Sequence, residues 1–204
     1  MRRFAATFQL TADTMIVDVG GTPLNWKLID CPARLTLVNI DDSFSQEDWP
    51  GMSFEVGDGR ELRYADASFD VAFSNSAIEH VGTFDDQRRF ADELRRVGKG
   101  VWVQTPAKEF FIEPHLFTPF IHRLPRETQR RLVRNFTVRG WIERPDQEAV
   151  DGLLNVRLLT RREMESLFPD CELIEEKFLG MTKSYIAVRT IRDAERLGNP
   201  SRIA

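Results

Sequence analysis

Cysteine is almost missing from this chain: Cys31 and Cys171 are the only two in 204 residues. They stand far apart and belong to no CxxC or Cys/His cluster, which excludes a disulfide framework and a cysteine zinc site. A reduced, cytoplasmic chain is the expectation. No apolar run approaches the length needed to cross a bilayer. The N-terminal MRRFAATFQLTADT has two arginines but no long apolar stretch after them, so no secretory signal is read there. Cationic excess is absent too, and a net charge of −4 argues against broad nucleic-acid binding. What is present suits one domain with a sizeable core: 42% of residues are hydrophobic and 29% charged. Fifteen Phe and four Trp predict a core or pocket rich in aromatic rings.

Apolar residues come in short bursts: MIVDV, LTLVNI, SFEV, DVAFS and VWVQT. Each is rich in β-branched or aromatic residues, and such bursts suit parallel strands covered on both faces. Between the fourth and fifth, Phe84, Phe90, Leu94 and Val97 fall at helical spacing, with Asp85 and Asp86 in the first turn and Gly98 as the stop. Strand, connection, strand repeats to about Thr105, the pattern of a doubly wound α/β sheet. Pro106, Pro114, Pro119, Pro125 and Pro145 then break the rhythm. Residues from about 106 to 155 are therefore read as a small helical cap inserted after strand five, within a single domain spanning 1–204. TRREMESLF predicts a helix with Thr160 as N-cap and Glu163 completing a capping box. CELIEEKFLG and KSYIAVR predict a closing hairpin joined around Gly180 to Lys183, and Asp193 to Ala204 a loose polar tail.

The first strand ends in DVGGTPLNW. Two adjacent glycines let a backbone turn sharply and approach a ligand without a Cβ in the way. The dinucleotide fingerprint G-x-G-x-x-G fails twice, however, at Thr22 and Asn25, and there is no Walker A lysine loop. A tight bend and a cofactor loop both remain open on this stretch alone. Acidic residues close the next two strands. Asp41 and Asp42 follow the second at the spacing where a carboxylate accepts both ribose hydroxyl hydrogens, and Asp58 follows the third between Gly57 and Gly59, suited to accept from an adenine amino group. Each alone reads equally as a turn residue or helix cap. Together they gather at the carboxyl ends of strands, where such sheets bind ligands.

The run GDGRELRYADASFDVAFSNSAIEHVG closely resembles class I S-adenosylmethionine-dependent methyltransferases, especially the small-molecule type 11 group. That group reads G-D-A-x-x-L-P-F-x-D-x-S-F-D-x-V and ends in leucine-x-His-Val. Asp58, Leu62, Asp66, Ser68, Phe69, Asp70, His80 and Val81 match, while Gly59, Arg63 and Tyr64 depart. The resemblance covers roughly Ile16 to Thr105, and the closing hairpin fits the group's last two strands. It implies a Rossmann-like, seven-stranded, mostly parallel sheet with the last strand antiparallel, and S-adenosylmethionine as cofactor. Asp18, Gly20 and Gly21 would then lie beside the methionine moiety, and Asp41 would hold the ribose with Asp42 as a second partner. Asp58 and Gly59 would flank the adenine, with Asn75 and Ser76 at the pocket floor. The group's first loop is D/E-x-G-x-G-x-G, and Thr22 and Leu24 stand here at its last two glycines.

Methyl transfer to an alcohol or phenol needs a group that removes the acceptor's proton. His80 follows the fourth strand, where a base at the pocket mouth and a side chain bonded to backbone are equal readings. FFIEPHLFTPFIHRLP resembles a segment of a bacterial methyltransferase subgroup associated with glycan or natural-product pathways. Glu113 and His115 flank Pro114 there, and a neighbouring carboxylate raises a histidine's basicity and fixes its tautomer. His115 is the expected general base or substrate binder, and His122 is read as structural. Arg126, Arg130 and Arg134 share one helical face. A solvated surface is the leading reading of that face, and recruitment of an acidic acceptor the other. The expected activity is methyl transfer to a small or medium acceptor at oxygen. A cofactor-binding protein without catalysis is the main rival, favoured by the depleted glycine loop. A nicotinamide oxidoreductase fails on the fingerprint, and SNSA after the fourth strand lacks the Pro-Pro-aromatic motif of amino-directed DNA enzymes.

Overall fold

The interior sheet strands alternate their side chains between two buried faces, and that alternation organises the molecule. The computed structural model describes residues 1–42, 49–113, 116 and 118–197. Helix α1 (Arg2–Phe8) leads into β1 (Met15–Val19), the four-residue helix α2 (Pro23–Trp26), β2 (Arg34–Asn39) and β3 (Met52–Val56). Then come β4 (Phe69–Asn75), α3 (Phe84–Val97) and β5 (Gly98–Pro106). After a short ribbon of β6 (Ile112–Glu113) and β7 (Thr118–Pro119) follow α4 (Arg126–Phe136), α5 (Val138–Glu143) and α6 (Gln147–Leu154). The chain ends with α7 (Arg161–Leu167), β8 (Glu172–Phe178), β9 (Met181–Arg189) and α8 (Ile191–Leu197). The seven-stranded sheet runs β3-β2-β1-β4-β5-β9-β8, and β9 alone opposes the other six. This is the Rossmann-like sheet with an antiparallel last strand that the sequence predicts.

Val17, Val19, Ala72, Val101 and Val103 face one side, against Phe90, Leu94 and Val97 of α3 and Met164 and Leu167 of α7. Their neighbours Ile16, Val71, Phe73 and Trp102 face the other, against Phe4 of α1 and Trp26 of α2. Phe4 sits at the centre of the aromatic cluster, with ring centroids 4.8 Å from Phe73, 5.6 Å from Trp102 and 5.8 Å from Trp26. The connection from β1 to β2 is too short for a full covering helix. The N-terminal helix α1 supplies that cover instead, through Phe4, in a segment with no local signal for an element.

Local signals explain the helix starts. Thr83 caps α3 through a capping box with Asp86, and Thr160 and Glu163 form the expected box at α7. Thr160→Ala is expected to cost about 1 kcal/mol in urea unfolding, because it leaves the Glu163 N–H without its acceptor. The hairpin turn is tighter than expected. Leu179 and Gly180 both have positive φ, as a two-residue type I′ turn requires, and Thr182 and Lys183 already belong to β9. Residues 191–197 form α8, so the loose tail read from Asp193 is helical over its first residues. Between β5 and α7, helices α4, α5 and α6 enclose a small core of their own: Leu116, Ile121, Val133, Val150 and Leu154. No helix among the described residues is long and apolar enough to cross a membrane.

Candidate active site

The carboxyl ends of β1, β2, β3 and β4 surround a cleft of about 290 Å³. Its first wall is the turn after β1. Asp18 is fully buried there, and its Oδ2 accepts a 2.7 Å hydrogen bond from the Trp26 indole N–H. Its Oδ1 has no hydrogen-bond partner among the described residues. Burial pushes the carboxyl up to about 7, and the Trp26 bond only partly offsets that. Gly20 has φ +76° and donates its N–H to the Val38 carbonyl at 2.8 Å. Gly21 lies directly over Asp18: a Cβ there would come within 1.8 Å of Oδ2. Both positions therefore require glycine, one for its backbone angle and one for space.

The opposite wall comes from β2, β3 and the turn after β4. Asn39 ends β2, lines the cleft, and donates Nδ2 to the Gly21 carbonyl at 2.9 Å, tying the two strand ends together. Asp58 is clasped by Arg60, whose Nε lies 3.0 Å from both carboxylate oxygens and whose Nη2 lies 2.6 Å from Oδ2. These bonds hold the Asp58 carboxyl below its usual range. The same guanidinium reaches Asp86 Oδ1 at 3.1 Å, joining the β3 loop to the start of α3. Gly59 is pressed onto the core, where a Cβ would meet Phe90 and Val19 at 2.5–2.6 Å. Ser76 has φ 56°, a left-handed conformation that side chains rarely adopt, and its N–H is held by the Gln104 carbonyl at 2.9 Å. Val19, Val38, Ile40, Ala77, Val81 and Phe90 supply the apolar lining.

A second cleft, of about 180 Å³, is linked to the first through the turn after β4. Ala77 and His80 line the first cleft, while the Ile78 and Glu79 carbonyls accept from Gln87 Nε2 (3.0 Å) and Arg157 N (2.8 Å). Arg157 in turn lines the second cleft, beside Lys108, His122, Arg126 and Gln129 over a floor of Leu116, Leu153, Leu154, Val156 and Leu158. Arg157 is spoken for, paired with Glu163 and bonded to Gln87 Oε1 at 2.7 Å. Lys108 and Arg126 have no carboxylate partner among the described residues. Beneath the turn, buried Glu79 accepts from Thr105 Oγ1 at 2.9 Å.

The structure thus brings Gly20, Asp58, Gly59, Ser76 and His80 to one cleft, with Gly21 and Asp18 at its base. Asn75 ends β4 next to Ser76, and its Oδ1 lacks a hydrogen-bond partner among the described residues. Asp41 and Asp42 do not join them. Both are exposed beside a small hollow with Phe54, Glu55 and Val56, outside the cleft. β2 ends at Asn39, so Asn39 and Ile40 face the cleft where Asp41 was expected. Asn39 was legible as the first polar residue after LTLV. Arg60 was not, because its role depends on a turn that folds it back onto Asp58. Glu113 lies in β6, paired with Thr118, but its side chain falls outside the described residues, as does all of His115. His122 is half-buried in the wall of the second cleft.

Residues 19–100, about two-fifths of the chain, match the family model described as a methyltransferase domain. No curated protein matches the chain. A structure described as an S-adenosylmethionine-dependent methyltransferase from Methanosarcina mazei is 15% identical with a TM-score of 0.56, covering 92% of this chain and 96% of its own. A candidate zinc-dependent alcohol dehydrogenase from Rhodobacter sphaeroides is 12% identical with a TM-score of 0.59, covering 92% and 88%. Phosphoethanolamine N-methyltransferase 2 of Haemonchus contortus, in complex with S-adenosyl-L-methionine, is 14% identical with a TM-score of 0.52, covering 84% of this chain and 37% of its own. At such identities these likenesses speak for the fold, and among the described residues no three His, Cys, Asp or Glu side chains converge as a metal site. The matched segment runs from the last residue of β1 to the start of β5, so the part of the chain that is similar to a methyltransferase domain is the part whose strand ends build the first cleft.

Proposed function

We propose that the protein methylates an oxygen nucleophile on a small or medium anionic acceptor, of the kind handled in glycan or natural-product pathways, held in the Lys108–Arg126 cleft. The observation that carries this is that the turn 77–80, which walls the first cleft, is hydrogen-bonded through the Glu79 carbonyl to Arg157 in the wall of a second, unlike cleft. The first is lined by loop backbone and apolar side chains, and the second by two uncompensated cations over a leucine floor. An anion with an apolar body suits the second.

The cofactor fits the first cleft on observations independent of the family match. Gly20, Gly57 and Gly59 line it with backbone alone, open to close approach by a ligand. Two polar atoms without partners among the described residues, Asp18 Oδ1 and Asn75 Oδ1, lie at the ends of the strands that border it. When bound, S-adenosylmethionine supplies a methyl group already activated by its sulfonium. Gly20 and Gly21 hold the methionine part, with Ser76 and Asn75 beneath. With Nδ2 committed to Gly21, Asn39 keeps Oδ1 to accept from a ribose hydroxyl, the role first read for Asp41 with Asp42. Asp58 accepts from the adenine amino group on oxygens that Arg60 leaves available, and Gly59, Val38, Ile40 and Phe90 pack the base. The acceptor's proton goes to a histidine, either His115 supported by Glu113 or His80 on the cleft wall. Separate pH–rate profiles of His115→Ala and His80→Ala distinguish them. A cytoplasmic location, where Cys31 and Cys171 stay reduced, goes with this reading.

Lys108→Ala and Arg126→Ala are each expected to raise KM for an anionic acceptor about fivefold, the ordinary worth of one exposed ion pair, with little change in kcat. Unchanged KM in both variants, or equal turnover of the acceptor's neutral amide or ester, would sink the proposal. Thr22 and Leu24, standing where the family has two glycines, favour one rival: a protein that binds the cofactor without turning it over. Calorimetric binding with no turnover across a broad acceptor panel would support that rival.

A further inference from the structure

Helices α4 and α5 present a surface that neither cleft uses. Phe136 is 67% exposed, Trp141 66% and Ile142 77%, and Val138 is exposed beside them. Val138, Trp141 and Ile142 fall at i, i+3 and i+4 on α5, so one face of that helix carries all three. Four large apolar side chains on a helix pair this short form a patch of the kind that marks an interaction site.

The charge around the patch is lopsided. Residues 123–144 carry seven arginines and two glutamates, a net +5 in a chain whose total is −4, so the remainder carries −9. Some of these cations are neutralised: Arg130 pairs with Asp151 and Arg139 with Glu143. Arg131, Arg134 and Arg144 are exposed and have no carboxylate partner among the described residues. Arg134 and Arg144 share a depression with Trp141, so guanidinium groups border the indole directly.

We infer that the α4–α5 face is a membrane-surface contact, seating Phe136, Val138, Trp141 and Ile142 among the headgroups of an anionic lipid leaflet with Arg131, Arg134 and Arg144 on the phosphates. Apolar side chains ringed by arginine are the makeup of an interfacial helix. The acidic remainder of the protein is repelled by the same leaflet, so only this face can settle on it. A second copy is disfavoured, because an isologous contact sets the arginines of two protomers against each other. A nucleic acid would satisfy the arginines and stack on Trp141, but it leaves Val138 and Ile142 with nothing to gain.

Vesicle flotation of the full-length protein tests this. Binding is expected to vesicles of phosphatidylcholine mixed with phosphatidylserine, not to phosphatidylcholine alone, and is expected to weaken as salt rises. Arg134→Gln with Arg144→Gln should lower partitioning about twenty-five-fold, taking about fivefold per arginine near the surface. Trp141→Ala with Ile142→Ser should abolish it with the thermal unfolding midpoint unchanged, since both side chains are exposed. Failure to bind anionic vesicles, equal binding to both vesicle types, or variants that partition like the parent would each overturn the inference. So would Trp141-dependent binding of polyglutamate or polyuridylate that displaces the protein from vesicles, which assigns the face to an acidic protein or to RNA.

Discussion

Between pH 4 and pH 8, Asp18 alone is expected to lower the unfolding free energy by about 4 kcal/mol, and Asp18→Asn to remove that loss. The carboxyl titrates near its ordinary 3.8 in the unfolded chain and near 7 in the folded one, where burial penalises the charged form more than the Trp26 bond relieves it. Below about pH 4 both states hold the proton and nothing is lost. Through the window the unfolded chain releases its proton first, so stability falls until the folded carboxyl ionises near pH 7, and then levels off. Three units at 1.36 kcal/mol each give the figure of about 4 kcal/mol. Asparagine keeps an oxygen for the Trp26 N–H and has no charge to bury. Urea unfolding of parent and variant at several pH values gives the difference directly. A difference that stays flat with pH would show that Asp18 is not the titrating group. The paired carboxyls Asp58, Glu163 and Asp170 are held below their ordinary values, so their contributions change at lower pH and cancel between the two proteins. The fold thus carries a group that costs it stability at neutral pH, directly beneath the glycine loop of the cofactor cleft.

Arg189→Met is expected to cost about 3–5 kcal/mol, the range for removing one member of a buried ion pair. Arg189 ends β9 with its head group nearly closed from solvent. It pairs with Asp170 and donates to the carbonyls of Gly98 (2.6 Å), Arg95 (2.8 Å) and Lys99 (3.3 Å). One guanidinium therefore clamps the end of α3, the start of β5 and the approach to β8. Burial on its own would raise the Asp170 carboxyl, but bonds from Arg95 and Arg189 bring it below the usual range. Methionine matches the length of the stem but cannot donate to the buried Gly98 carbonyl or the part-buried Arg95 carbonyl. Arg189→Lys should recover little, because an ammonium has no fork with which to reach the carboxylate and three carbonyls together. The midpoint of urea unfolding reads both variants, and a loss under 1 kcal/mol for Arg189→Met would refute the clamp.

The parts of this molecule legible in its sequence are those set by neighbours along the chain. β1, β2, β4 and β5 announce themselves as apolar bursts because both faces are buried, and the Thr160–Glu163 box is set by residues three apart. The glycine pair after β1 was legible as a turn, but its second reason was not: Gly21 is required by the carboxylate packed under it. Asp41 looked like the ribose partner because carboxylates are conspicuous, whereas the strand ends at Asn39, and strand ends decide which side chain turns into the cleft. α1 is seven residues long, too short for a periodic pattern to stand out, and its worth comes from Phe4 meeting three aromatic residues far along the chain. The second cleft gathers Lys108, Arg126 and Arg157 from separate elements, a juxtaposition that no local spacing records.

The place of β9 in the sheet has a consequence for how the protein is made. The last strand to be synthesised is an interior one, lying between β5 and β8. Its register pairs Val101 with Arg189 and Pro106 with Ser184, so β5 waits through the whole intervening segment for its partner. During translation the outer edge of β5, carrying Val101, Trp102 and Val103, is an unpaired apolar strand of the sort that recruits chaperones or other nascent chains. The tight Leu179–Gly180 turn shortens that interval, because β8 and β9 can pair as a hairpin first and dock as one unit. A chain that stops short of Arg189 loses part of the sheet's middle, along with the arginine that fastens it.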